Sequence, residues 1–142
     1  VTFFADGHAV NSEPLNNYCD ALLRTCQPSQ PRPAYLKVRP GMPVQISVPS
    51  AIAKTPWVVN VQYVNAKGEP QPLEQQTFTS GDRFAYTVTP PAPDDQLVVV
   101  EIQQLGAAYA ADQSGKPILD QAGNPQLVAR GVWSLQIEPS GG

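Results

Sequence analysis

Val44-Gln45-Ile46-Ser47-Val48 and, shortly after it, Trp57-Val58-Val59-Asn60-Val61-Gln62-Tyr63 decide the fold class. In the first run Val44, Ile46 and Val48 alternate with Gln45 and Ser47. In the second, Trp57, Val59, Val61 and Tyr63 share one face, with Asn60 and Gln62 on the other. Successive side chains of a strand point to opposite sides, so this period of two predicts half-buried strands, and the pair is expected to face each other across a core. The pattern continues outward. Tyr35 to Val38 ends at the turn Arg39-Pro40-Gly41, and Phe84, Tyr86 and Val88 alternate with Ala85 and Thr87. Pro90 to Asp95 stops that strand, and Leu97 to Ile102 follows with Val98, Val100 and Ile102 on one side. A last strand, Ala129 to Ile137, places Trp133, Leu135 and Ile137 inward. At the start, Val1 to Ala5, the hairpin or bend signal Asp6-Gly7 and His8 to Val10 read as a broken edge strand.

About seven or eight strands with inward Trp57 and Trp133 predict an all-β chain, an immunoglobulin-like two-sheet β-sandwich with Greek-key links formed as one domain over 1–142. A small barrel is the alternative. Helix is expected to be scarce, with about one turn over Cys19 to Arg24. An antibody constant-type domain is excluded, because its inter-sheet bridge joins cysteines far apart in sequence.

The 142 residues are 42% hydrophobic and 15% charged, too apolar for disorder. The 16 prolines and 10 glycines punctuate many short apolar runs without forming a periodic tract. Net charge is −3 and the nine Lys and Arg residues are thinly spread, with Arg32, Lys37 and Arg39 the one loose cluster. A phosphate backbone needs a concentrated basic footprint, so nucleic acid is excluded as a partner and anionic membrane surfaces are disfavoured. The longest apolar stretch, Leu97 to Val100, is strand-sized, far from the ~20 residues of a membrane span. The start at Val1, without Met or a signal-like segment, reads as a mature or trimmed product.

Cys19 and Cys26, with six residues between them in polar surroundings, are expected to form a local disulfide. Two buried free thiols are the alternative. A bridge would contribute roughly 2–3 kcal/mol on the chain-entropy model and implies an extracytoplasmic, oxidising compartment. Zinc is disfavoured, since His8 is the single imidazole.

An internal repeat precedes the last strand. Asp112-Gln113-Ser114-Gly115-Lys116-Pro117-Ile118-Leu119 is followed by Asp120-Gln121-Ala122-Gly123-Asn124-Pro125-Gln126-Leu127, with Asp, Gly and Pro at matching positions. Each unit reads as a turn and a short apolar step, extending a hairpin or adding an edge ribbon. Elaborated loops are where scaffolds place function, so Asp112, Ser114, Lys116, Asp120 and Asn124 are the candidate interaction residues.

Catalytic signatures do not assemble. His8 sits in a terminal bend with no Gly-x-Ser-x-Gly elbow in the chain, and no Gly-rich phosphate loop opens a helix. Asp94 with Asp95, Glu69 with Glu74 and Asp112 with Asp120 lack the setting of a paired-carboxylate site, and Asp94-Asp95 reads as turn chemistry. Asp112, Ser114, Asp120 and Asn124 offer oxygen ligands for calcium without the dense acidic alternation of a recognised loop. The expectation is a protein that is not an enzyme and has no cofactor.

Val1-Thr2-Phe3-Phe4-Ala5, Tyr18-Cys19-Asp20 with Cys26, Pro40-Gly41 before an alternating strand, and Arg130-Gly131-Val132-Trp133-Ser134-Leu135 together resemble an uncharacterised family of actinobacterial secreted proteins and lipoproteins. The resemblance spans nearly the whole chain and carries over no catalytic residue. It implies a cell-envelope location, secreted or lipid-anchored. The function expected is an envelope protein-interaction module presenting the disulfide loop and the long hairpin. The alternative is a carrier or sensor of an apolar envelope lipid or small molecule, with Trp57–Tyr63 and Phe84–Val88 lining a cavity.

Overall fold

Turn-forming residues break the apolar runs into many short elements. A computed structural model of the chain describes residues 1–15, 17–28, 33–109, 111–119 and 122–139. Its elements are β1 (Thr2–Ala5), β2 (His8–Asn11), β3 (Asn17–Cys19), β4 (Cys26–Pro28), β5 (Ala34–Val38), β6 (Val44–Ser47), α1 (Ser50–Ala53), β7 (Trp57–Val64), β8 (Glu74–Phe78), β9 (Ala85–Val88), β10 (Gln96–Tyr109) and β11 (Leu127–Pro139). Strand makes up 54% of the chain and helix 3%, so the protein is nearly all β.

Three sheets result. One has four strands in the order β2-β1-β6-β9, one has five in the order β5-β11-β10-β7-β8, and β3-β4 form a two-stranded ribbon. Pairing is antiparallel except that β5 runs parallel to β11. The inward side chains of the two larger sheets meet in one core. Phe3, Val44, Ile46 and Val88 come from the four-stranded sheet; Val38, Trp57, Val59, Val100, Ile102 and Leu135 come from the five-stranded one. Phe78 of β8 stacks between Trp57 of β7, at 4.4 Å, and Tyr86 of β9, at 5.1 Å, so an aromatic ladder crosses from one sheet to the other.

The two runs that decide the fold class, β6 and β7, lie in opposite sheets with their apolar faces in the common core. Other expectations need correction. Eleven strands are described, against seven or eight expected, because short polar segments such as Glu74–Phe78 and Cys26–Pro28 pair without apolar alternation. The first segment is a hairpin turning at Asp6-Gly7, with β1 inside the sheet and β2 at its edge. A register shift between Leu97 and Val99 puts Leu97, Val100 and Ile102 in the core and leaves Val98 half-buried, so the strict alternation expected through Val98 fails at a bulge. Phe84, expected inward, is 49% exposed because it precedes the first residue of β9. Cys19 to Arg24 forms no helical turn; β3 and β4 pair there as a hairpin, and the helical turn is α1, whose Ile52 and Ala53 enter the core.

Candidate functional site

A disulfide closes the β3–β4 hairpin. Cys19 and Cys26 are directly paired across the ribbon with Cα atoms 4.0 Å apart, as the local bridge required; Cys19 is buried and Cys26 exposed. At the tip the Arg24 backbone N–H donates to an Asp20 carboxylate oxygen and holds that carboxyl below the usual carboxylate range. Leu23 takes φ 59°, a left-handed conformation that costs a branched residue about 1–3 kcal/mol and persists only under outside support.

That support is docking onto β10 and β11. The Ala107 N–H donates to the Ala21 carbonyl at 2.6 Å, and Arg130 Nε donates to the Cys19 carbonyl at 2.8 Å. The Arg130 guanidinium lies 5.4 Å over the Tyr18 ring, which meets Trp133 edge-on at 5.9 Å. The Tyr18 hydroxyl donates to Gln104 Oε1 at 2.9 Å, and Gln104 Nε2 donates to the Ala51 carbonyl and to Thr55 Oγ1. Gln104 has no exposed surface, so this network meets the rule that a buried amide is stable only when its polar atoms are paired. Two glycines make room for it. A Cβ at Gly131 would lie 2.8 Å from both Trp133 and Tyr18, and one at Gly106 would lie 2.8 Å from the Ala21 carbonyl.

The docked hairpin therefore touches β10 and β11 just before they leave the sheet. Beyond Gln104 the β10–β11 pairing shifts register twice before Tyr109 meets Leu127, and the two strands continue into the repeat. There Asp112 Oδ1 accepts from the Ser114 N–H, the Ser114 hydroxyl and the Lys116 N–H at 2.7–2.9 Å. The Ser114 hydroxyl bond is the main cause of an Asp112 carboxyl held below its usual range. The Asp112 N–H returns a bond to the Lys116 carbonyl, so Asp112, Ser114 and Lys116 are gathered in one turn. The matched glycines, Gly115 and Gly123, both take positive φ, and matched bridges join Ala111 to Pro117 and Leu119 to Pro125. The repeat is thus a ribbon extending the β10–β11 hairpin. Asn124 is exposed in its second unit; Asp120 lies outside the described residues. Ile118 and Leu119 are 42% and 54% exposed.

Sequence reasoning located the bridge and the repeat and placed Trp133 inward, but it did not single out Gln104 or bring Tyr18, Arg130 and Gly131 against Trp133 as one contact. One signal was available: Gln104 is a polar residue in inward register with Val100 and Ile102. Among the described residues no three His, Cys, Asp or Glu side chains gather as a metal site, and no helix is long and apolar enough to cross a membrane.

Fold and site define a β-rich, disulfide-braced domain with a projecting ribbon. The chain belongs to the family described as Protein of unknown function (DUF2771), whose model matches residues 1–138. No curated protein and no solved structure matches it. The resemblance read from the sequence to a family without assigned function is met at that level. Two of the motifs that carried it, Tyr18-Cys19-Asp20 and Arg130 to Leu135, are the two sides of the docking contact.

Proposed function

We propose that this protein is a non-catalytic interaction module of the cell envelope, secreted or lipid-anchored in an actinobacterium, whose β10–β11 extension engages an envelope protein. In this reading the two sheets form an immunoglobulin-like sandwich with Greek-key links, and the disulfide belongs to an oxidising compartment. The observation that carries the reading is the extension itself. Its described residues 111–119 and 122–126 are all exposed, Asp112 stiffens its first turn, and Ile118 and Leu119 stand in solvent without a core to enter. Exposed apolar side chains on a rigid loop suit a protein surface. The docked hairpin serves as a brace that sets the angle of the extension, and its exposed tip, with Leu22 48% exposed, follows directly on Ala21, which accepts from the Ala107 N–H. The test replaces 112–126 by a two-residue turn and compares partner recovery from envelope fractions. Loss of a partner that the full chain retains supports the reading; recovery of every partner by the shortened chain overturns it.

A cleft of about 270 Å³ bears on the second reading, a carrier or sensor of an apolar lipid or small molecule. It lies between β7, β8 and β9, where Val59, Val61, Tyr86 and Val88 were expected to line a cavity. Glu74, Gln75 and Gln76 also line it, and its volume falls below the ~300–1,000 Å³ of ordinary ligand sites, so it favours a small polar ligand over a lipid. Saturable binding of an apolar fluorescent probe that is weakened by Gln76→Lys, at an exposed position of the lining, would revive the lipid carrier.

A further inference from the structure

The opposite, outward face of β7 holds a larger depression of about 510 Å³. Its floor is the outer surface of β7, β8 and β10, and one wall is Pro125 to Leu127 at the base of the extension. Among the described residues the lining side chains are uncharged, and the Glu101 carboxylate stands at the rim, paired in register with Asn60 and bonded to Gln103. Four amides line it, Asn60, Gln75, Gln103 and Gln126, together with the hydroxyls of Thr77 and Thr79. Asn60 faces Gln75 of β8 on one side and Glu101 of β10 on the other, and Val58 faces both Thr77 and Gln103, so two rows cross the strands. Strands lie about 4.8 Å apart, which gives each row a regular step. Two contacts fix the amides: Gln75 Nε2 donates to Asn60 Oδ1 at 2.8 Å, and Gln103 Nε2 donates to Glu101 Oε1 at 2.9 Å. These bonds orient the Asn60 amide nitrogen and the Gln75 and Gln103 carbonyl oxygens for other partners. Val58, within the second row, and Leu105 and Leu127 supply aliphatic surface.

We propose that this groove binds a short neutral oligosaccharide. Amides and hydroxyls present donors and acceptors side by side, which suits a ligand whose every unit carries hydroxyls that do both. The Glu101 carboxylate at the rim repels acidic sugars and phosphates, which would find no counter-charge among the described lining residues, so a neutral ligand is favoured over an anionic one. Sugar C–H faces pack on Val58, Leu105 and Leu127. An extended peptide is the less suitable occupant, because it gains most at a strand edge, where its backbone adds to the ladder, and this groove lies on a sheet face. Among the described residues no aromatic ring lines the groove, so affinity rests on hydrogen bonds and is expected to be weak, with a Kd on the order of 1 mM. The inference is independent of the protein partner proposed above.

The test is an NMR amide-shift titration of the full oxidised chain with cellotetraose, maltotetraose and mannotetraose, each to about 20 mM, well above the expected Kd. An uncharged capped tetrapeptide and a tetragalacturonate serve as comparison probes. The expected result is that a neutral tetrasaccharide shifts the amides of Val58, Asn60, Thr77, Gln103 and Gln126, with no dependence on added salt. Gln126→Ala, on an exposed position that leaves the core untouched, and Asn60→Ala should each weaken binding about 5-fold, the loss of one hydrogen-bonding group. Unchanged shifts elsewhere in the spectrum verify that both variants fold. Absence of shifts with all three sugars, shifts confined to other surfaces, or binding of the peptide or the galacturonate alone overturns the proposal.

Discussion

Gln104 decides more than its size suggests. As a buried amide with hydrogen bonds to Tyr18, Ala51 and Thr55, it links the disulfide hairpin, α1 and β10 in one network. Tyr18→Phe keeps the ring on Trp133 and removes the donor to Gln104 Oε1. An unpaired buried acceptor costs about 1–3 kcal/mol, so a lowered urea midpoint with an unchanged slope is expected. Gly131→Ala acts through volume instead. Its methyl would meet the rings of Trp133 and Tyr18 at 2.8 Å, and forcing them apart should cost about 1–3 kcal/mol and shift both ring spectra in near-ultraviolet circular dichroism. If both variants unfold at the wild-type denaturant concentration, the docking contact is not a source of stability.

At the scale of elements, the β3–β4 hairpin and the β10–β11 extension are coupled because the first packs where the second leaves the sheet. Replacing Cys19 and Cys26 together by Ser should lower stability by roughly 2–3 kcal/mol and speed hydrogen exchange at Ala107, whose N–H is bonded to the hairpin. Asp112→Ala should behave differently. It removes the acceptor for Ser114 and Lys116, loosening the ribbon turn while changing global stability by no more than about 0.5 kcal/mol, since every residue there is exposed. The legibility of the elements follows the same division. The inward faces of β6, β7 and β11 were readable because burial on one side imposes a period of two, and the repeat and the bridge were readable from spacing. Polar β8 and β4 had no such signal, since neither alternates and each is anchored through an end residue, Phe78 in the core and Cys26 in the disulfide. The bulge at Val98 broke a pattern that sequence alone continued, and the docking contact joins residues 86 positions apart at Tyr18–Gln104 and 111 apart at Cys19–Arg130.

Over the whole molecule, acid should be the main solution lever. Asp6, at the β1–β2 turn, receives the side chain and backbone N–H of Arg39 from beyond β5, with the closest ion-pair contact at 2.6 Å, and Arg39 holds its carboxyl below the usual range. The folded group ionises more readily than the unfolded one, so its stabilisation is complete above an ordinary carboxylate pKa of about 4 and is lost as pH falls through the lower folded value. Asp20 and Asp112 are shifted in the same direction and add to the same limb. Asp6→Asn should lower the urea midpoint at neutral pH and reduce the further loss on acidification; an unchanged acid limb would show that this pair does not link the turns energetically. Above these local terms stands the claim that the molecule works by presenting its braced ribbon to an envelope protein. The most direct test places a photo-crosslinking residue at Ile118, at Leu119 and, for comparison, at Lys67 on a distant exposed turn, in cells that make the protein. Crosslinks to one and the same envelope protein from Ile118 and Leu119 but not from Lys67 are predicted. Equal labelling from all three positions, or none from the ribbon, would contradict the account.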